Sequence, residues 1–259
     1  MLSEVFFDVE TKKLFGDIEG FNPADLGVSI VSVYSRKIDE SFSGEQNRTI
    51  EGHTVLSVVE GKMQSFWEKD FDESPSLRRE RNPSRRRQSL WRRSTEAKYS
   101  SRSSAGIRPG YFAKGDKMWP LFQSADRIIG FNSLGFDIPA LSPYTNFPFQ
   151  KLPHFDIMQK VKEVFGHRIA LDAIAKETLD REKTDVGINA VYYWQKGDKE
   201  SLEKLKKYCE ADVLITRDIY DYALQNGHLL LKDKWNTLQK VEVDFSYPKD
   251  TPTKQAGLF

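Results

Sequence analysis

The run Val5-Phe6-Phe7-Asp8-Val9-Glu10, close to the start of a 259-residue chain, restricts the fold more than any other feature of the sequence. A short apolar, β-rich stretch closed by Thr11 and two lysines has the length and punctuation of a buried strand. Side chains alternate across a strand, so Asp8 and Glu10 share one face while Phe7 and Val9 take the other. Two carboxylates about 6 to 7 Å apart on an otherwise buried strand repel each other and lose hydration unless a cation or protons compensate. A divalent metal ion meets that need. The plain alternative is a strand end whose acids face water.

Two further stretches bear on that choice. Residues 127–131 form a second apolar strand, which runs through Asn132 and Phe136 to Asp137. Asp137 is suited to begin a helix with Pro139 in its first turn, so a helix cap is its ordinary role. Asn132 has an ordinary role as a turn former. In residues 200–226, Leu202, Leu205, Cys209, Val213, Thr216, Ile219, Tyr220 and Ala223 recur at intervals of three and four, the mark of a long amphipathic helix. Asn226 and Gly227 supply its stop. Tyr208 and Asp212 lie one turn apart and flank the apolar stripe. Taken alone, Asp212 is an exposed acid on a helix shoulder, and a Tyr four residues before an Asp is a common accident.

The conjunction is more specific than its parts. Asp-x-Glu on a first strand, Asn-x-x-x-Phe-Asp after a later strand and Tyr-x-x-x-Asp in a late helix resemble the three motifs of the DEDD exonuclease superfamily. Tyr208, where other members carry histidine, points to the DEDDy branch. The chain is thus similar to proofreading domains of family B DNA polymerases and to ribonuclease H-like domains found beside helicases. The resemblance spans residues 3 to about 226 and implies an α/β ribonuclease H-like fold, a mixed β-sheet flanked by α-helices. It implies a metal-dependent 3′ to 5′ exonuclease acting on single-stranded DNA or RNA, with a helicase or polymerase among the expected partners. The alternative is a catalytically silent nucleic-acid-binding module of the same fold, an adaptor to such an enzyme.

The resemblance also assigns roles. Asp8 would bridge two divalent ions, Mg²⁺ or Mn²⁺, Glu10 and Asp212 would hold the one carrying the attacking water, and Asp137 would support the other. Tyr208 would orient that water. Oxygen-only ligands suit these hard cations, and a two-ion site stabilises both the attacking and the leaving oxygen of an in-line displacement. Thr11, Leu14, Asn132 and Phe136 match positions that touch the substrate strand in the family, although Leu14 and Phe15 read more simply as ordinary core. Lys176 and Lys183 are expected to face solvent.

The whole chain agrees with this reading. Its single cysteine, Cys209, excludes a disulfide framework, fits a reducing compartment and reads as a small core residue. No apolar run has transmembrane length and no charged-then-apolar leader precedes the first strand, so a cytoplasmic protein without membrane contact is expected. His53, His154, His167 and His228 have no metal-ligand spacing, and no Gly-rich phosphate loop followed by lysine suggests ATP hydrolysis.

One segment stands apart. Residues 73–108 hold eleven Lys or Arg against Glu73, Glu80 and Glu96, a net of +8 that leaves −7 on the remainder of a chain whose total is +1. Rich in Ser and Arg and poor in aliphatics, this stretch cannot bury enough surface to offset chain entropy. It reads as a disordered basic insertion, at about 73–114, into a single domain of 1–259 that ends in a loose tail at about 246–259. An arm with Trp91 and Tyr99 among its arginines is suited to phosphates and bases; a passive insert is the simpler reading.

The expected strands lie at 5–9, 26–34, 38–43, 54–59 and 127–131, the first four antiparallel and the last parallel. A helix or helix-loop is expected at 67–72, and helices at 119–125, near Ile138, at 156–165 with Asp156 as its cap, at 171–178 with Asp172 in the first turn, and at 190–194 before the long helix. Residues 229–245 have the alternation of strand pieces.

Overall fold

The first strand decides the layering. β1, Leu2–Thr11, alternates as expected: Val5, Phe7 and Val9 enter one apolar cluster, and Phe6 enters another on the opposite side of the sheet. The computed structural model describes residues 1–39, 49–50, 53–54, 58–71, 117–181 and 187–247. The other strands are β2 (Val28–Ile38), β3 (Thr49–Ile50), β4 (His53–Thr54), β5 (Val58–Trp67), β6 (Arg127–Gly130), β7 (His154–Asp156), β8 (His228–Lys232) and β9 (Leu238–Glu242). β1 is central in a five-stranded sheet of order β5-β2-β1-β6-β7. It pairs antiparallel with β2 and parallel with β6, and β6 pairs parallel with β7. The sheet is mixed, as the sequence implied.

Helices cover both faces. In chain order they are α1 (Glu68–Phe71), α2 (Trp119–Ser124), α3 (Asp137–Leu141), α4 (Ile157–Phe165), α5 (Leu171–Leu179), α6 (Gly187–Lys196) and α7 (Lys199–Asn226). On one side Trp119, Phe122 and Phe149 pack edge to face around Phe7. On the other, Ile219 and Tyr220 of α7 join Phe6, Ile129, Ile157 and Val161. α7 begins at Asp198, whose carboxylate accepts from the Ser201 amide, and ends at Gly227 with φ of 67°, a left-handed position that glycine occupies without a Cβ penalty. This long helix is the element that faces the acids of β1.

Several expectations need correction. Of the strand expected at 38–43, Ile38 belongs to β2 and residues 40–43 lie outside the described ones. The piece at 54–59 is divided between the two-residue β4 and the start of β5. Trp67, expected in a helix or helix-loop, closes β5 by pairing with Ile30, and the helix starts at Glu68. β7 was not foreseen, because three residues are too few to show a period. The basic insertion falls within 72–116, outside the described residues.

The expected loose tail at about 246–259 is anchored where it is described. The Arg127 guanidinium donates to the backbone oxygens of Phe245 and Ser246, and the Tyr247 hydroxyl donates to Glu4 at 2.9 Å. Glu4 also accepts from Tyr220 and, at 2.7 Å, from Arg36, which spans on to Asp221. Glu4 and Arg36 are buried, so each carboxylate here depends on its cation. Arg36→Ala should therefore cost about 3 to 5 kcal/mol of unfolding free energy, measured by urea titration. Lys160→Ala, which removes an exposed pair with Glu163, should leave it nearly unchanged. Equal effects of the two would contradict this account.

Candidate metal centre

Asp8 and Glu10 sit on the face of β1 that looks toward α7, two residues apart and therefore side by side. α7 brings Asp212 to them. One carboxylate oxygen from each of Asp8, Glu10 and Asp212 lies within 4.8 Å of the others, with Asp212 buried and the two strand acids half-buried. Cys209, one turn before Val213 on the same helix, is buried against β1, its sulfur 3.7 Å from an Asp8 carboxylate oxygen. A small side chain at this position lets the helix approach the strand closely enough for the acids to meet.

Asp137 enters from the other side of β1. It is the first residue of α3, with Phe136 in the cap position, and it makes no cap; its carboxylate instead accepts from the Val9 amide at 3.1 Å. The ordinary role as a helix cap is thereby replaced by a tie to the strand between Asp8 and Glu10. Burial pushes the Asp137 carboxyl up to about 7, against the opposing pull of the Val9 amide, and the nearby charge of Asp156 adds to the rise. It lies outside the three-carboxylate group but lines the same cavity as Asp8 and Glu10.

The loop leading to Asp137 is built tightly. A Cβ at Gly130 would lie 2.5 Å from the Ser133 Cβ, so the turn after β6 accepts no side chain there. Asn132 adopts φ of 58°, the left-handed turn geometry expected of it. Asp156 fixes the whole turn: its carboxylate caps α4 through the Gln159 amide and also accepts from the amides of Asn132 and Leu134 at 3.0 Å. The cap was legible in the sequence. Its grip on the loop was not, because it joins residues more than twenty positions apart.

Tyr208 is buried, and its hydroxyl is hydrogen bonded with Asp212. Burial and the charges of Asp212, Glu10 and Asp8 hold the phenol far above its usual range, so it remains a proton donor. The cavity lined by Asp8, Glu10 and Asp137 measures about 280 Å³. Thr11, Leu14, Asn132 and Phe136 all line it, together with Lys13, Phe15, Phe131, Gly187 and Val191, which sequence reasoning had not placed there. Leu14 and Phe15 were read as core; they are 38% and 36% exposed and form the cavity rim. Lys176 is exposed, as expected, and Lys183 falls outside the described residues.

The donor set fits hard divalent cations. Three convergent carboxylates offer oxygen alone, and a fourth, Asp137, lines the cavity that Asp8 and Glu10 also line. Gathering like charges at this spacing is unfavourable without cations or protons. Among the described residues no helix is long and apolar enough to cross a membrane.

A family model described as RNase_H superfamily matches residues 112–224. No curated protein matches the chain. Among solved structures, the family B DNA polymerase from the hyperthermophilic archaeon Pyrobaculum calidifontis is similar over 86% of this chain at 15% identity, with a TM-score of 0.45. The chain spans 25% of that polymerase's length. The fold is α/β and ribonuclease H-like, a mixed five-stranded sheet flanked by helices.

The raised Asp137 carboxyl has a consequence for the metal-free protein. Between about pH 4 and about 7 the folded chain keeps a proton that the unfolded chain releases, so this group's contribution to stability falls as pH rises through that window. Asp137→Asn keeps an oxygen for the Val9 amide and removes the charge. In chelator at pH 8 the variant should be more stable than the unsubstituted protein by about 2 to 4 kcal/mol, with the gap closing near pH 4. Denaturant titrations across that range check this, and a less stable variant at pH 8 would contradict it.

Proposed function

We propose that this protein is a metal-dependent 3′ to 5′ exonuclease of the DEDDy type, hydrolysing single-stranded DNA or RNA one nucleotide at a time. The single observation that carries the reading is the convergence of Asp8, Glu10 and Asp212 within 4.8 Å, from a strand and a helix some two hundred residues apart. Asp137 at the same cavity completes the carboxylate set, and Tyr208 completes the pattern by its bond with Asp212.

Asp8, Glu10 and Asp212 would hold one divalent ion, and Asp8 with Asp137 a second. Bound there, Mg²⁺ or Mn²⁺ would neutralise phosphoryl charge and acidify the attacking water. The remaining work falls to the chain itself. Tyr208 stays protonated at neutral pH and so orients the water by donating or accepting through its hydroxyl; it does not act as a general base. Asn132 lines the cavity where a terminal nucleotide would lie, and its buried side-chain oxygen has no hydrogen-bond partner among the described residues. Thr11, Leu14 and Phe136 border the same space and would seat the terminal sugar and base. A partner helicase or polymerase would supply the strand.

The test is incubation with 5′-labelled DNA and RNA oligomers in Mg²⁺, in Mn²⁺ and in chelator. A ladder descending by single nucleotides, abolished by chelator, is expected. Asp8→Ala and Asp212→Asn should remove activity, whereas Tyr208→Phe should lower kcat by about 10- to 100-fold and retain the rest. Full activity in Asp212→Asn would refute the assignment. Binding without shortening of either polymer would favour an adaptor module instead.

A further inference from the structure

The loop from β1 to β2 carries apolar side chains that the chemistry of the carboxylates does not need. Its ends are closed by the Lys12 amide donating to the Gly27 oxygen at 2.9 Å. Inside, a 3₁₀ turn at Phe15–Asp17 is held by the Asp17 carboxylate accepting from the Leu14 amide at 2.8 Å, and a second turn at Pro23–Asp25 is capped by Asn22. The loop is therefore shaped by its own hydrogen bonds, yet it leaves Phe21 85% exposed. A phenylalanine in that position gains nothing for folding.

Phe21 is not isolated. Its ring centroid lies 6.0 Å from that of Phe15, and Phe15 lies 6.1 Å from Phe136. Phe15 and Phe136 line the cavity that holds the acids, so three rings form a continuous file from the carboxylates out to solvent. Exposed Lys13 stands on the same cavity wall. Aromatic faces beside a cation suit a polymer whose bases are flat and whose backbone is anionic. An unstructured peptide would find the cation but no reason for the file to end at a carboxylate cavity.

We propose that Phe21, with Phe15 beneath it, is an outer base-stacking position that takes an unpaired base upstream of the terminal nucleotide, so that the site grips a single strand several nucleotides long. This rests on the nuclease reading of the cavity. The file sets a length requirement: oligomers that reach Phe21 bind tightly, and dinucleotides that end inside the cavity do not profit from it. A duplex cannot use it, because paired bases offer no free face.

The experiment uses the full chain, Ca²⁺ in place of the activating ions, and oligo(dT) with 2-aminopurine placed in turn at each of the last few positions. In the unsubstituted protein one interior position should change its fluorescence on binding. Phe21→Ala should abolish that change and weaken binding of an eight-nucleotide oligomer by about tenfold, while dinucleotide binding shifts by less than about twofold. Phe21→Trp should restore both. Because Phe21 is exposed, the variant's melting temperature should match the parent's, which removes misfolding as an explanation. Unchanged fluorescence and affinity in Phe21→Ala would overturn the proposal. So would a change in sedimentation from dimer to monomer with oligomer binding intact, which would make the file a contact between copies. Hydrolysis in Mg²⁺ or Mn²⁺, run in parallel, separates the two ideas. If strands are cut but binding ignores Phe21, only the stacking position falls; if Phe21 governs binding and nothing is cut, only the nuclease reading falls.

Discussion

One face of β1 presents Glu4, Phe6, Asp8 and Glu10 in succession to the same long helix, and the rest of the molecule is arranged around the charges on that face. Strand geometry leaves no choice about it, since alternate side chains must project together. At the near end the protein answers its own charge: Arg36, Tyr220 and Tyr247 all reach Glu4. At the far end it adds to the charge, bringing Asp212 up against Asp8 and Glu10. Folding energy alone gives no reason to collect carboxylates where they repel. The contrast along one strand is the strongest physical argument that the far end is built for cations from outside the chain.

The two ends are mechanically linked. Between the Glu4 network and the acids lies Phe6, packed edge to face on Tyr220 at 5.4 Å, and α7 carries Tyr220, Asp212 and Tyr208 along one continuous helix. The register of that helix against β1 is thus fixed by an ion-paired cluster well away from the cavity. The parallel strand β6 does the same for Asp137, because the turn after it is clamped by Asp156 and the carboxylate is tied to Val9. Asp137 and Asp212 are both positioned by contacts with β1, the strand that carries Asp8 and Glu10.

What the sequence made legible was the part governed by short-range periodicity. Alternation in residues 5–10 gave the faces of β1, and the three-and-four spacing of 200–226 gave α7 nearly to its ends. The convergence of Asp8, Glu10 and Asp212 came from a resemblance of motifs and not from any local signal. What stayed hidden depends on distant pairing. Arg36 meets Asp221 across 185 positions, so nothing near Arg36 distinguishes it from a surface arginine. β7 is too short to show a pattern, and Asp137 looked like a cap because its partner, the Val9 amide, is 128 residues away. Leu14 and Phe15 looked like core because apolar residues beside a buried strand usually are; a hydrogen-bonded loop holds them at the cavity mouth instead.

The account stands on the claim that the acids of β1, α3 and α7 bind divalent cations together. Titration of Mn²⁺ into chelator-stripped protein, followed by electron paramagnetic resonance of the free ion, tests it without reference to any substrate. The account predicts about two ions per chain. Asp8→Asn should bind at most one, because Asp8 serves both positions. A protein that leaves millimolar Mn²⁺ entirely free, or an Asp8→Asn variant that binds as the parent does, would contradict it.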